Sequence, residues 1–581
     1  MAAEPQLDAA GSPRKGRVIR FLVAVLILGS PVFPQSRFSE QARLTAAKSA
    51  FDAGHWEEAA TLARGTADQL PELDFLAGLA LARMEKWTES KQAFEDGLRK
   101  APKDPRFFVE LAGTAYKQKD FRTAKERLRK ALDLNPQDAY SRQFLATIYF
   151  LEGNLEAALK YWNPEDKPRL RSVAFRPSLQ LKESLRSRAL AFNAPQILTG
   201  DALLATQSRL DNLGVFSSRR IALHPAESGN YDLTLHLAER NGWGDSKVEG
   251  IVSLLSGLPY ATIYPEFYNL SRDAVNLTAL ARWDSEKRRI SLAFSMPLYG
   301  DPRLRLRFYA DARNENWNLA QTFRGTGTPL TDLNMRRAAA GVEAHSVVNG
   351  RWSWSWSAGV EIANRNFRNL NGHASLAERA FFAGVTSVAG WLSVERTLMR
   401  VAEHRFMLDS TAEAKAGREF ADSLGPFVTL RGSLRARWFP RAKGDDYEMQ
   451  TQIRAGATAG KATLDELFEL GVERDNDLWL RGHAGTLDGR KGAAPLGRRF
   501  FLANWEMDKN IYQNGFFTLK LGPFLDNGAV ADSSGLFGSQ RWLWDAGAQC
   551  KVRVLGSLTI ALSYGRDLRG GRNVFYGTVL R

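Results

Sequence analysis

Trp352-Ser353-Trp354-Ser355-Trp356-Ser357-Ala358-Gly359-Val360-Glu361-Ile362 alternates without a break between apolar residues and small or polar ones. A period of two sends successive side chains to opposite faces of a strand, so one face here is wholly apolar. The pattern recurs to either side. Leu304, Leu306, Phe308 and Ala310 alternate with Arg303, Arg305, Arg307, Tyr309 and Asp311, and Val428, Leu430, Leu434 and Trp438 alternate with Arg431, Arg435 and Arg437. A soluble sandwich also alternates. Many such strands, with aromatic-rich ends and long polar connections, instead suit a membrane β-barrel that is apolar towards lipid and polar towards a lumen. Residues 247–581 are enough for about 16 antiparallel strands.

This reading locates the charge. The chain has 79 Lys and Arg against 64 Asp and Glu, a net +15. Arginines recur at lumen-facing positions (Arg303, Arg305, Arg307, Arg431, Arg435, Arg437), so the excess lines a hydrated wall and calls for no nucleic-acid partner. Cys550 is the single cysteine, which excludes an internal disulfide and any cysteine-rich metal site. The 7 histidines show no metal-ligand spacing. There is no Gly-x-Ser-x-Gly elbow and no useful His-Asp-Ser grouping. The expectation is a non-enzyme with no catalytic residue, cofactor or metal.

The N-terminus reads as a targeting segment. Arg14, Lys15, Arg17 and Arg20 precede the apolar run Phe21–Leu28, which Gly29, Ser30 and Pro31 break. That run is too short to span a bilayer as a helix, so residues 1–36 are expected to be a secretory signal peptide.

Residues 37–163 repeat with a period of 34. Trp87, Phe121 and Leu155 are spaced by it, as are Gly78, Ala112 and Ala146, and Pro102 and Pro136; Trp56 opens an earlier, shorter unit. This resembles the tetratricopeptide repeat, whose small residues let paired helices approach and whose prolines end each second helix. The resemblance implies a concave surface for protein partners.

Residues 171–242 read as a strand, two helices and two strands. Thr199 is a suitable N-cap for a helix over Gly200–Leu213, and Gly214 a suitable stop. This order, with Leu210-Asp211-Asn212-Leu213-Gly214-Val215-Phe216-Ser217 and Leu237-Ala238-Glu239-Arg240, resembles a polypeptide-transport-associated (POTRA) domain. The resemblance implies a strand edge open to an extended partner.

A long connection interrupts the last third of the strands. Phe468-Glu469-Leu470-Gly471 precedes Leu480-Arg481-Gly482-His483, and Pro495-Leu496-Gly497-Arg498-Arg499-Phe500-Phe501 leads back into Asn504-Trp505-Glu506. Gly522-Pro523-Phe524-Leu525-Asp526-Asn527-Gly528-Ala529 and Leu562-Ser563-Tyr564-Gly565-Arg566-Asp567-Leu568 follow. Connections beyond about 12–15 residues are uncommon in compact domains unless functional. In this order the motifs resemble the BamA/TamA-type superfamily of outer-membrane assembly and transport barrels. The resemblance implies a lid loop folded into the lumen, its tip Arg481-Gly482 meeting Phe524, Asp526 and Gly528 of a neighbouring strand. Strand parity agrees, since Thr518, Lys520, Phe524 and Asp526 share the lumen face. His483 departs from the family's aromatic, which weakens the expected packing of the tip, and the chain ends in Arg581 instead of an aromatic.

The expected architecture is therefore a tetratricopeptide solenoid, a small α+β POTRA-like domain and a C-terminal transmembrane antiparallel barrel. The resemblance implies insertion or translocation of polypeptides at the bacterial outer membrane, with the N-terminal domains in the periplasm. Expected partners are outer-membrane lipid, periplasmic or secreted protein clients, and periplasmic accessory proteins. The rival reading is a passive pore or surface-antigen barrel with a docking arm.

Overall fold

The computed structural model describes residues 35–64, 69–240, 247–324, 332–348, 354–371, 382, 384–420, 425–442, 444–514, 517–539, 541–554 and 558–580. The expected signal peptide falls outside them but for its last two residues, as does Arg581. No described helix is long and apolar enough to cross a membrane. The chain divides into two compact units, residues 1–136 and 137–581.

The first unit is built of antiparallel helix pairs: Gln35–Asp52 with Trp56–Ala63, Pro71–Arg83 with Trp87–Lys100, and Pro105–Lys117 with Phe121–Leu134. Trp56, Trp87 and Phe121 each open the second helix of a pair, and Pro102 and Pro136 lie just beyond a helix end. The small residues set the spacing. A Cβ on Gly78 would stand 2.4 Å from the Phe94 ring and one on Gly97 2.3 Å from Phe107, both rings fully buried. Ser90 Oγ donates to the Gly78 carbonyl at 2.8 Å, which satisfies a hydroxyl buried in the same contact.

The second unit opens with one more pair, Ala139–Leu151 and Leu155–Trp162. Asp138 caps the first of these helices, accepting from the N–H groups of Tyr140 and Ser141. Asn154 caps the second through Ala157 N–H at 3.1 Å, and its amide donates to the carbonyl of Ala402 at 2.8 Å. Ala402 belongs to the turn Ala402–His404 between two barrel strands. Glu156 takes a two-pronged bond from Arg400 (2.6 and 2.8 Å), and Tyr161 O–H and Lys160 both reach Glu403. The pair is thus clasped to the barrel rim through four residues along one helix.

A three-stranded sheet follows. Leu170–Arg176 runs parallel to Tyr231–Glu239, which pairs antiparallel with Phe216–Pro225 on its other side. Helices Glu183–Ala189 and Gly200–Leu213 complete the layer. Thr199 Oγ1 accepts from Ala202 N–H at 3.1 Å, and Gly214 ends the helix in the left-handed conformation (φ 68°) that favours glycine.

After a helix over Lys247–Leu255 comes one antiparallel sheet curled into a barrel, in which neighbours in sequence are neighbours in space. Among the described residues it holds eighteen strand segments. Two of these, Thr486–Leu487 and Arg490–Lys491, belong to the lid, and Pro265 splits one stave into Thr262–Ile263 and Glu266–Leu270, so the wall itself has fifteen staves among the described residues, one fewer than expected. Parity holds on the quoted strand. Val360 and Ile362 are more than half exposed on the outside, whereas Glu361 accepts inside from Tyr309 O–H (2.8 Å) and Arg337 (2.6 Å). Ile290, Leu392, Leu430 and Tyr564 extend the outward apolar band around the wall. Exposed side chains of this kind would be a liability in water and are what lipid demands. Deep glycines receive aromatics from the next strand, Gly341 beneath Tyr309 and Gly359 beneath Trp391.

Candidate functional site: the lid in the lumen

Residues 461–498 connect two strands, Tyr447–Gly460 and Arg499–Gln513, that pair directly with each other. The connection therefore leaves and re-enters the wall at one place and folds as a lid inside the barrel. Phe468–Glu469 pairs with Leu496–Gly497 to make its stem. Phe468, Leu470, Leu478 and Leu480 of the lid pack with Phe500, Leu502 and Val530 of the wall. That cluster carries the chain down to Arg481.

Arg481 is 4% exposed and Asp526 fully buried. Its Nε and Nη2 donate to the two oxygens of Asp526 at 2.8 and 2.6 Å, and its own N–H adds a third bond at 3.0 Å. Nη1 donates to Glu506 (2.9 Å) and to Gln549 (2.7 Å), and the guanidinium lies 3.8 Å above the centre of the Phe524 ring. Around this centre Lys551 bridges Glu506 and Asp508 at 2.6 and 2.7 Å, while Asn504 donates to Asp526 at 2.7 Å. Every polar group of the anchor is engaged, which a buried ion pair requires. Gly528, two residues beyond Asp526, does not touch the arginine. A Cβ there would strike the Phe501 carbonyl at 2.8 Å, so its glycine serves the neighbouring strand.

Gly482 lets the backbone itself reach the wall. Its N–H donates to Asp545, and a Cβ would stand 2.6 Å from the Asp545 carboxyl carbon. His483 makes a polar contact where packing was expected. Nδ1 lies 3.1 Å from Asp545 and Nε2 3.7 Å from Asp567. The sheet register explains the grouping, because Asp526, Asp545 and Asp567 are direct cross-strand partners in one row.

Two further anchors went unread in the sequence. Asp465 and Glu466, at the entry to the lid, are held by Arg365 at 2.6 Å each, and Lys415 adds a bond to Glu466 at 2.7 Å. Asp475 is held by Arg282 (2.8 Å) and Arg289 (2.6 Å), and Glu473 by Lys287 (3.2 Å). Within the lid, burial among Glu473 and Glu315, against Lys491, pushes the Glu469 carboxyl up to about 8. The signal available was the excess of acids in 465–477 opposite basic residues of lumen parity, but the pairing needs the register.

The six arginines singled out as lumen-facing are dispersed. Arg303 pairs with Asp301 in a turn before its strand begins. Arg305 donates to the Asn212 carbonyl at 3.3 Å, Arg307 to Glu343 at 3.2 Å, and Arg431 to the lid's Asp477 at 2.9 Å. Arg435 lines a cavity of about 540 Å³ with Arg454, Trp479, Glu506 and Lys551, and Arg437 lies over the Phe439 ring. A second cavity, about 640 Å³, is lined by Arg289, Arg313, Glu361 and Lys415 of the wall and by Asp475 of the lid.

Comparison with known proteins gives the following. The tetratricopeptide repeat family matches residues 115–161. No curated protein sequence matches the chain. Among solved structures, the chain is similar over 71% of its length to BamA from Haemophilus ducreyi lacking POTRA domains 1–3, at 12% identity, 84% coverage of that chain and a TM-score of 0.40. CdiB from Acinetobacter baumannii aligns over 71% of this chain and 73% of that one (15% identity, TM-score 0.41), and CdiB from Escherichia coli over 71% and 75% (12%, 0.44).

Proposed function

We propose that this chain is a bacterial outer-membrane protein that inserts or translocates polypeptides, with its helical repeats and POTRA-like domain in the periplasm. The observation that carries the reading is the seat of Arg481 on Asp526, inside a barrel whose outer wall is apolar. A lid pinned across the lumen by a buried ion pair is a device for controlling passage, and the sequence motifs around it resemble those of assembly and transport barrels. The basic and apolar N-terminal run supports export. The repeat array supports a periplasmic arm that binds clients or accessory proteins, and the edge strand of the α+β domain supports guidance of an extended chain by strand addition. No bond-making step is required of any residue.

The test is photo-cross-linking in cells from the first helices of the repeats, with recovered partners identified, followed by conductance of the purified protein in planar bilayers. Captured outer-membrane or secreted polypeptides whose addition alters the conductance are the expected result. Conductance that no captured client changes would leave a passive pore with a docking arm.

A further inference from the structure

We propose that His483, Asp545 and Asp567 form a binding site for a divalent transition-metal ion at the tip of the lid, independent of the transport reading above. One ligand atom from each of the three residues falls within a sphere of contact in which all lie within 4.8 Å of one another. Imidazole with two carboxylates is a donor set suited to zinc or manganese.

Charge points the same way. Like charges directly opposite in a sheet repel, and three aspartates share one cross-strand row here. Arg481 neutralises Asp526, and Lys551 serves Glu506 and Asp508. Among the described residues, no arginine or lysine side chain stands within salt-bridge distance of Asp545 or Asp567; beside the backbone N–H groups of Gly482 and Arg569, His483 is the ionisable group that faces them. A single imidazole, even protonated, leaves one negative charge over, whereas a dication with neutral imidazole balances both carboxylates. An independent observation concerns Asp545 itself. It is fully buried, and its Oδ1 accepts no hydrogen bond, although Oδ2 accepts from Gly482 N–H and lies 3.1 Å from His483 Nδ1. A buried carboxylate oxygen without a donor is costly, and a cation on that side of the group would satisfy it. His483 is oriented for the task. Either ring nitrogen can serve, since Nδ1 lies 3.1 Å from Asp545 Oδ2 and Nε2 3.7 Å from Asp567 Oδ2.

The test uses the full chain in detergent, stripped with chelator, supplied with zinc and separated from free metal, its fold checked by heat-modifiable migration on gels. The variants are His483→Phe, which keeps a ring at the tip, and Asp567→Asn. Asp545 is left intact because it also holds Gly482. Expected is a single equivalent of zinc retained by the unaltered chain, lost from both variants, with zinc raising the temperature at which the folded band disappears only in the unaltered chain. Folded, unaltered protein that retains no zinc above buffer overturns the proposal. So does retention by both variants equal to that of the unaltered chain.

Discussion

Arg481 shows why the lid tip is an arginine. Its planar fork meets both oxygens of Asp526, leaves Nη1 for Glu506 and Gln549, and lays its face on Phe524. A lysine reaches one of these partners at a time. Arg481→Ala strands a buried aspartate and is expected to destabilise the folded barrel by about 3–5 kcal/mol, read as earlier loss of the heat-modifiable band and lower urea tolerance in detergent. Arg431→Ala, whose partner Asp477 is 66% exposed on its side chain, is expected to change stability by less than about 1 kcal/mol. Equal effects of the two substitutions would remove the anchor's special status. A pH effect belongs to Glu110 in the first unit. Desolvation raises its carboxyl above the ordinary range, and Arg83 offsets this only in part. An acid raised in the folded state contributes stability that is fully present below its ordinary pKa and is lost as pH rises through the raised value. Glu110→Gln should therefore flatten the rise in helical stability between neutral pH and about pH 4, followed by circular dichroism. Asp526 was named by the resemblance and placed on the lumen face by strand parity. Asp545 and Asp567 have the same parity, but only the register shows that they stand beside it.

As an element the lid is held at several points along its length. Its entry is tied by Arg365, its middle by Arg282 and Arg289, and its tip by the aspartate row. Each tie is a buried charge pair, so loss of one partner loosens a segment without freeing the whole. Arg365→Ala should speed hydrogen exchange at residues 463–467 and leave exchange at 478–483 unchanged. Spread of the effect to the tip would mean that the lid moves as one rigid piece. The helical repeats respond to volume. Gly78→Val places carbon atoms inside the Phe94 ring and should destabilise the first unit by about 1–3 kcal/mol, seen as a lower midpoint in the helical signal. The repeat was readable because a period of 34 marks the contact positions directly. The lid's length was readable too. The basic wall partners of its acids were not, because a loop has no periodicity that states which wall it faces.

For the whole molecule, the order of helices, α+β layer and barrel was legible, since hydrophobic period changes at each border. The clasp was not. Glu156, Lys160 and Tyr161 sit in the repeat pattern as ordinary surface residues, and Arg400 and Glu403 as an ordinary strand end and turn. Replacing Glu156 and Glu403 together by alanine should raise protease sensitivity and hydrogen exchange over 139–162, with heat-modifiability of the barrel unchanged. The lid carries a consequence for biogenesis. It leaves the wall after Gly460, yet its tip is received by strands Phe517–Ala531, Leu543–Val554 and Leu558–Asp567, all encoded later. Arg481 can find its seat only after the C-terminal staves have been made and set in register. A chain that stops early or pairs those staves one residue out presents no aspartate row, and its lid stays loose for quality-control proteases to cut. The latch is in this sense a receipt for a wall built to within one stave of its end, issued by residues made after the lid.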